Sequence, residues 1–224
     1  MESYIKLSAG DGHQLEAYVA EPAGPARAAI VVIQEIFGVN SHIRSVADGY
    51  AAQGFWTIAP ALFDRVEPRI ELGYDSPEFK RGMQIATQIG IDNALKDVAA
   101  AVTQAGIACP GMKVGVVGYC FGGTLAWLAA TRLGPAAAVG YYGGQISQFA
   151  GETPRCPVML HFGSKDAHIP AEDVEKIRRS HPGLPIYLYD AGHGFNCDQR
   201  QSYEPKSAAL ARQRSLEFFS EHLA

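Results

Sequence analysis

The six residues Gly118-Tyr119-Cys120-Phe121-Gly122-Gly123 constrain this chain more than any others. They follow an apolar strand pattern, Lys113-Val114-Gly115-Val116-Val117, and precede a helical one, Thr124-Leu125-Ala126-Trp127-Leu128-Ala129-Ala130. A chain that passes from buried strand to helix across Gly-x-Cys-x-Gly must fold back sharply. The glycines two before and two after the cysteine allow this because neither carries a Cβ. The turn lifts a thiol to the end of a strand, beside a helix N-terminus with free N–H groups. Their positive potential favours a thiolate and can hold a developing oxyanion.

The length of 224 residues suits one large α/β domain with a full core. A formal charge of −4 gives no basic footprint, so nucleic acid is not an expected partner. No apolar run reaches the roughly 20 residues of a membrane span. The start, Met1-Glu2-Ser3-Tyr4-Ile5-Lys6, lacks the form of a signal peptide, so a cytoplasmic location is expected. Four cysteines, at 109, 120, 156 and 197, include no Cys-x-x-Cys pair, which argues against a disulfide framework or a zinc knuckle. Cys109 and Cys156 read as small packed residues, whereas Cys120 sits in a thiolate-forming turn.

The order of elements reads as follows. Tyr4–Leu7 and Leu15–Val19 flank an Asp11-Gly12 turn, the pattern of an antiparallel hairpin. Ala28–Ile33 is a buried strand. Ser41 caps a helix that runs to about Gln53 and stops at Gly54; Phe55–Ala59 is the next strand. A charged loop over 62–76 leads to helices over Ser76–Ile89 and Ile91–Ala105, then to the elbow. Ala136–Tyr142, Val158–Phe162 and Ile186–Tyr189 read as strands, with helices over Ala171–Ser180 and Pro205–Leu223. Strands alternating with helices imply a mostly parallel sheet covered on both faces, with the hairpin extending one edge. His161, inside a strand, reads as a hydrogen-bonded core histidine, and no local motif marks a metal site.

In an open parallel sheet the reactive groups lie beyond the carboxyl ends of the strands. Cys120, Asp166 and His193 each follow a strand, in the order nucleophile, acid, histidine. In that arrangement Cys120 attacks an acyl carbon, His193 moves the proton, and Asp166 orients the imidazole. The strand ending at Ile33 leads into Gln34-Glu35-Ile36-Phe37-Gly38-Val39-Asn40. We assign the oxyanion N–H groups to Phe121, after the nucleophile, and to Ile36 in this loop. Glu35 is unusual there. A carboxylate near a thiol raises its pKa or takes its proton, unless an arginine pairs with it.

Together these residues resemble the dienelactone hydrolase (carboxymethylenebutenolidase) family, within the α/β-hydrolase fold. The resemblance is carried by Gln34–Asn40, by Lys113–Gly123, by Ala138-Val139-Gly140-Tyr141-Tyr142-Gly143 and by Ala191-Gly192-His193-Gly194-Phe195. It implies a monomeric, cofactor-free hydrolase, with a dimer left open, that opens an unsaturated lactone to maleylacetate in aromatic catabolism. It also implies a covalent acyl intermediate on Cys120. Glu35 would accept the thiol proton once substrate displaces it from an internal pairing.

The family's archetype holds its substrate carboxylate with two arginines. One lies four residues after the triad histidine, where this chain has Cys197. For the other, Arg81 is the candidate, and Arg200 is a further cation that could reach back. Arg81, Tyr142 and Cys197 are therefore the expected substrate-binding positions, and the loss of one arginine points to a less acidic or larger ester. Cys197 also raises a disulfide with Cys120, beside the simpler reading of a small pocket residue. Two other functions stay open on the sequence: a cysteine-elbow amidotransferase or peptidase, and a non-catalytic binding protein on the same fold.

Overall fold

The computed structural model describes residues 3–224. Its centre is an eight-stranded sheet: β1 (Ser3–Ser8), β2 (Gln14–Ala20), β3 (Ala28–Ile33), β4 (Phe55–Pro60), β5 (Val114–Tyr119), β6 (Ala137–Tyr141), β7 (Val158–Gly163) and β8 (Ile186–Tyr189). The strands lie in the order β1-β2-β4-β3-β5-β6-β7-β8. β2 runs antiparallel to β1 and β4, and every other neighbour pair is parallel. The expected hairpin is present at the sheet edge. Gly12, at φ 84°, supplies the left-handed turn residue that its Asp-Gly sequence announces.

Six helices flank the sheet: α1 (Ser41–Ala51), α2 (Ser76–Ile89), α3 (Ile91–Ala108), α4 (Phe121–Leu128), α5 (Ala171–Ser180) and α6 (Pro205–His222). The N-caps are chemically apt. Asn40, not the expected Ser41, caps α1: its side chain accepts from the Ile43 N–H and leaves Ser41 as the first helical residue, while Asp75 accepts from the Glu78 N–H with Pro77 in the first turn of α2. β3, β4 and β7 are buried along their whole length, as strands covered on both faces must be. The loop over 62–76 contains a short 3-10 turn, Leu62–Arg65. That turn is fixed by Arg65, whose guanidinium donates two bonds of 2.7 Å to the fully buried Asp97 on α3.

Differences from the sequence expectation are confined to ends. β5 extends through Tyr119, because Gly118 and Tyr119 still pair with Gly140 and Tyr141 of β6. α1 stops at Ala51, and α4 gives way after Leu128 to a π-helical turn, Ala129–Leu133. His161 is a fully buried core histidine, between the Tyr189 hydroxyl at 2.8 Å and the Ser215 hydroxyl at 3.0 Å. Burial, helped by the nearby Arg214 charge, pushes its pKa down to about 3, so the ring is neutral. No helix among the described residues is long and apolar enough to cross a membrane.

Candidate active site

The carboxyl ends of β3, β5, β7 and β8 bring the sequence-expected residues together. Cys120 stands directly after β5 at φ 55°, ψ −112°. This left-handed backbone is strained for a residue with a Cβ and is held by the surrounding chain. The Cys120 N–H donates to the Tyr141 carbonyl and the Gly122 N–H to the Gln34 carbonyl. A Cβ on Gly118 would strike the Gly122 carbonyl, and one on Gly122 the carbonyls of Ile33 and Gln34. Both elbow glycines are therefore required by contact as well as by the turn.

The Cys120 Sγ lies 3.1 Å from His193 Nε2. The opposite ring nitrogen, Nδ1, lies 2.7 Å from Asp166 Oδ2, and the Asp166 side chain is fully buried. A carboxylate only accepts, so Nδ1 carries the proton and Nε2 faces the thiol. Burial opposes charge on His193. The negative Cys120 and the Asp166 hydrogen bond outweigh it and push the pKa up to about 10. The arrangement thus favours a charged imidazole ring beside the Cys120 sulfur.

The backbone N–H groups of Ile36 and Phe121 have no acceptor among the described residues. Both residues line the same cavity as Cys120 and His193. α2 fixes the Ile36 side of this pair. Gly82 is packed so tightly on the Ile36 carbonyl that a Cβ there would strike it.

The cavity has a volume of about 460 Å³. Its wall is largely apolar, formed by Ile36, Phe79, Met83, Ala86, Ile91 and Phe121, with Thr87, Thr124 and Gln145 as polar members. His168 stands at its rim, its ring edge-on to His193 with 5.2 Å between centroids. Among the described residues, no lysine or arginine lines it.

The three expected substrate-binding positions lie elsewhere. Arg81 is half exposed and paired with Glu67 at 2.7 Å. Phe79 and Met83 face the cavity, and Arg81, two residues from each, is about 200° away around a helix of 3.6 residues per turn. Tyr142 is fully buried behind the triad, its ring 5.1 Å from that of His193. Cys197 is fully buried beside Glu35, and all four cysteines are free thiols. Tyr142 and Cys197 thus lie behind Cys120 and His193 and outside the cavity lining, and Phe79, Met83 and His168 form cavity wall that the sequence reading missed. Their signal was present: positions 79, 83, 86 and 87 repeat at helical spacing.

Glu35 is fully buried, with Oε1 3.4 Å from Arg200 Nη1. Arg200 passes beneath Gly194 and lies over the rings of Phe37 and Tyr74 at 5.6 and 5.8 Å. The expected acceptor role of Glu35 toward the Cys120 proton therefore meets a carboxylate already paired with arginine, while His193 is on the thiol. Burial, then the Glu35 charge, pushes the Cys197 thiol up to about 12. The same two causes hold the Tyr142 phenol well above its usual range.

Comparison with known proteins agrees with this fold. The sequence model of the dienelactone hydrolase family matches residues 15–223. A Synechocystis sp. protein, provisionally named carboxymethylenebutenolidase, is 35% identical over 94% of this chain and 93% of its own. The carboxymethylenebutenolidase of Pseudomonas putida is 32% identical over 96% of this chain and 95% of its own. A solved Klebsiella pneumoniae structure, provisionally named dienelactone hydrolase, superposes with a TM-score of 0.82 at 29% identity, covering 98% of this chain and 99% of that one. The chain belongs to the dienelactone hydrolase family, hydrolases of ester and lactone bonds on the α/β-hydrolase fold.

Proposed function

We propose that this protein hydrolyses uncharged carboxylic esters or lactones through a covalent acyl-Cys120 intermediate. The observation that carries the reading is the continuous line Cys120 Sγ–His193 Nε2 at 3.1 Å and His193 Nδ1–Asp166 Oδ2 at 2.7 Å, opening on the cavity.

The Cys120 thiolate attacks the carbonyl carbon, and its electron pair forms the C–S bond while the carbonyl oxygen becomes an oxyanion. The N–H groups of Ile36 and Phe121 receive that charge. Collapse re-forms the carbonyl and expels the alkoxide, which takes the proton held on His193. In the second half His193 accepts a proton from water, the hydroxide oxygen attacks the thioester, and the acid departs. The thiolate–imidazolium pair is restored. Asp166 orients the ring and stabilises its charged form throughout. Glu35 acts from behind the elbow, and its pairing with Arg200 sets how much negative charge the thiol feels.

The preference for uncharged substrates is supported by the cavity wall. Holding a substrate carboxylate in an apolar cavity without a lysine or arginine to pair with it is unfavourable. Arg81 is turned outward onto Glu67, and Arg200 is committed to Glu35. The cavity volume of about 460 Å³ accommodates a small acyl or aryl ester. All triad members come from one chain, which supports action as a monomer, and four free thiols support a reducing compartment such as the cytoplasm.

The test is hydrolysis of p-nitrophenyl acetate beside an anionic dienelactone, by wild type and Cys120→Ala. Cys120-dependent turnover with the higher kcat/KM on the neutral ester is expected. A large preference for the dienelactone would contradict the assigned substrate class, and equal rates in Cys120→Ala would contradict the nucleophile.

A further inference from the structure

Behind the triad lies a second group of reactive side chains that the hydrolysis above does not use. Glu35, His42 and Cys197 are all buried, and one ligand atom from each lies within 4.8 Å of the other two. They come from three separate segments: the loop after β3, the first turn of α1, and the loop after His193. The Glu35 Oε2 and the His42 Nε2 are both buried without a hydrogen-bond partner among the described residues. His42 Nδ1 is 3.0 Å from Asp198 Oδ1. Since that carboxylate only accepts, Nδ1 carries a proton and Nε2 is the ring nitrogen left for another partner. Neither Nε2 nor the Glu35 Oε2 satisfies the other, and burying both without a partner is unfavourable.

We propose that Glu35, His42 and Cys197 form a binding site for a divalent cation of the zinc class. Thiolate, imidazole and carboxylate together are the donor set that zinc takes, and three protein ligands leave a fourth position for water. Zinc–ligand bonds of 2.0–2.3 Å place tetrahedral ligand atoms about 3.5 Å apart, a modest closure of the present spacing. The surrounding groups are also those of a metal site. The Asp198 carboxylate on the far nitrogen of His42 fixes the tautomer that leaves Nε2 free to ligate. Binding replaces the Cys197 S–H bond by a metal–sulfur bond and releases the proton to solvent. The Glu35 and Asp198 carboxylates and the Cys197 thiolate then balance the divalent cation together with Arg200, which remains on the other Glu35 oxygen. Such a cation ties the residue before the oxyanion donor Ile36 to the loop that carries His193.

The test uses full-length protein treated with chelator, in a Cys120→Ser background so that the triad thiol contributes nothing. Co2+ alone is titrated in. One equivalent is expected to give a saturable thiolate-to-cobalt charge-transfer band, displaced by Zn2+, and to raise the melting temperature. Cys197→Ser is expected to abolish the band. Asp198→Asn alters a half-exposed side chain and does not threaten folding; it is expected to weaken Co2+ binding about 10- to 100-fold. Three results would overturn the site: no saturable band, a band that survives Cys197→Ser, or an affinity unchanged by both His42→Gln and Asp198→Asn.

Discussion

His168 and His193 divide the Asp166 carboxylate between them. The His168 backbone N–H donates to Oδ1 at 2.8 Å, and His193 Nδ1 donates to Oδ2 at 2.7 Å. Both oxygens therefore face donors. An asparagine would offer one acceptor and one NH2 group to the same two donors, so one contact must fail. We expect Asp166→Asn to lower kcat about 10²- to 10⁴-fold with the fold intact, through loss of the productive tautomer. Steady-state kinetics with circular dichroism as the folding control checks this. A variant within about threefold of wild type would remove Asp166 from the mechanism.

The charge on His193 depends on the thiol. Burial works against it, and the negative Cys120 is the largest influence in the raising direction. With a folded pKa of about 10 against about 6.5 unfolded, the charged ring contributes stability that is full below pH 6.5 and is lost as pH rises toward 10. Removing the thiol removes the main support for that charge. In Cys120→Ala the His193 pKa is expected to fall by at least about one unit, equivalent to about 1.4 kcal/mol. NMR titration of the imidazole C–H resonances reads this directly, and an unmoved pKa would mean that Asp166 alone sustains the charge.

Gly82 packs against the backbone of Ile36, one member of the proposed oxyanion pair. Its Cα faces the Ile36 carbonyl, and backbone has no rotamer with which to yield to a Cβ. Gly82→Ala should displace the Ile36 N–H from its aim and lower kcat about 10- to 100-fold, with a stability loss of about 1–3 kcal/mol. Gly151→Ala, where a Cβ meets nothing within 4 Å, is the matched control and should leave kcat unchanged. Equal kinetics for the two variants would show that the oxyanion loop does not depend on α2.

His161 gives the fold an acid-sensitive point. It stays neutral down to about pH 3, whereas in the unfolded chain it charges near 6.5. Between these values the unfolded state binds the additional proton, so stability falls as pH drops from about 6.5 toward 3 and is unaffected by this group above 6.5. Denaturant melts across pH 4–7 should show a steeper loss for wild type than for His161→Gln, by up to about 1.4 kcal/mol per pH unit. Parallel curves would place the acid sensitivity elsewhere.

The chain order of elements and the meeting of Cys120, Asp166 and His193 were legible because short motifs determine them. Gly118-x-Cys120-x-Gly122 admits few backbone paths and Asp11-Gly12 announces a hairpin, whereas the cap of α1 falls on Asn40, one residue before Ser41, because both are good capping residues. The substrate-facing wall was not legible. Which side of α2 meets the cavity is decided by Gly82, Ile85 and Ile89 packing inward, a tertiary choice that turned Arg81 to solvent. Membership in the family suggested a cation near position 197. The structure instead places Arg200 on Glu35, three residues later along a loop whose path no local pattern specifies. The meeting of Glu35, His42 and Cys197 was likewise hidden, since sequence spacing says nothing about residues that far apart.

The central claim is that Cys120 carries the acyl group. Rapid-quench intact-mass analysis of wild type mixed with p-nitrophenyl acetate, followed by peptide mapping, tests it most directly. The account predicts a transient increase of one acetyl group on the peptide containing Cys120, absent in Cys120→Ala, and decaying at the rate of turnover. Turnover without that adduct, or an adduct on another residue that supports the same turnover, would contradict it.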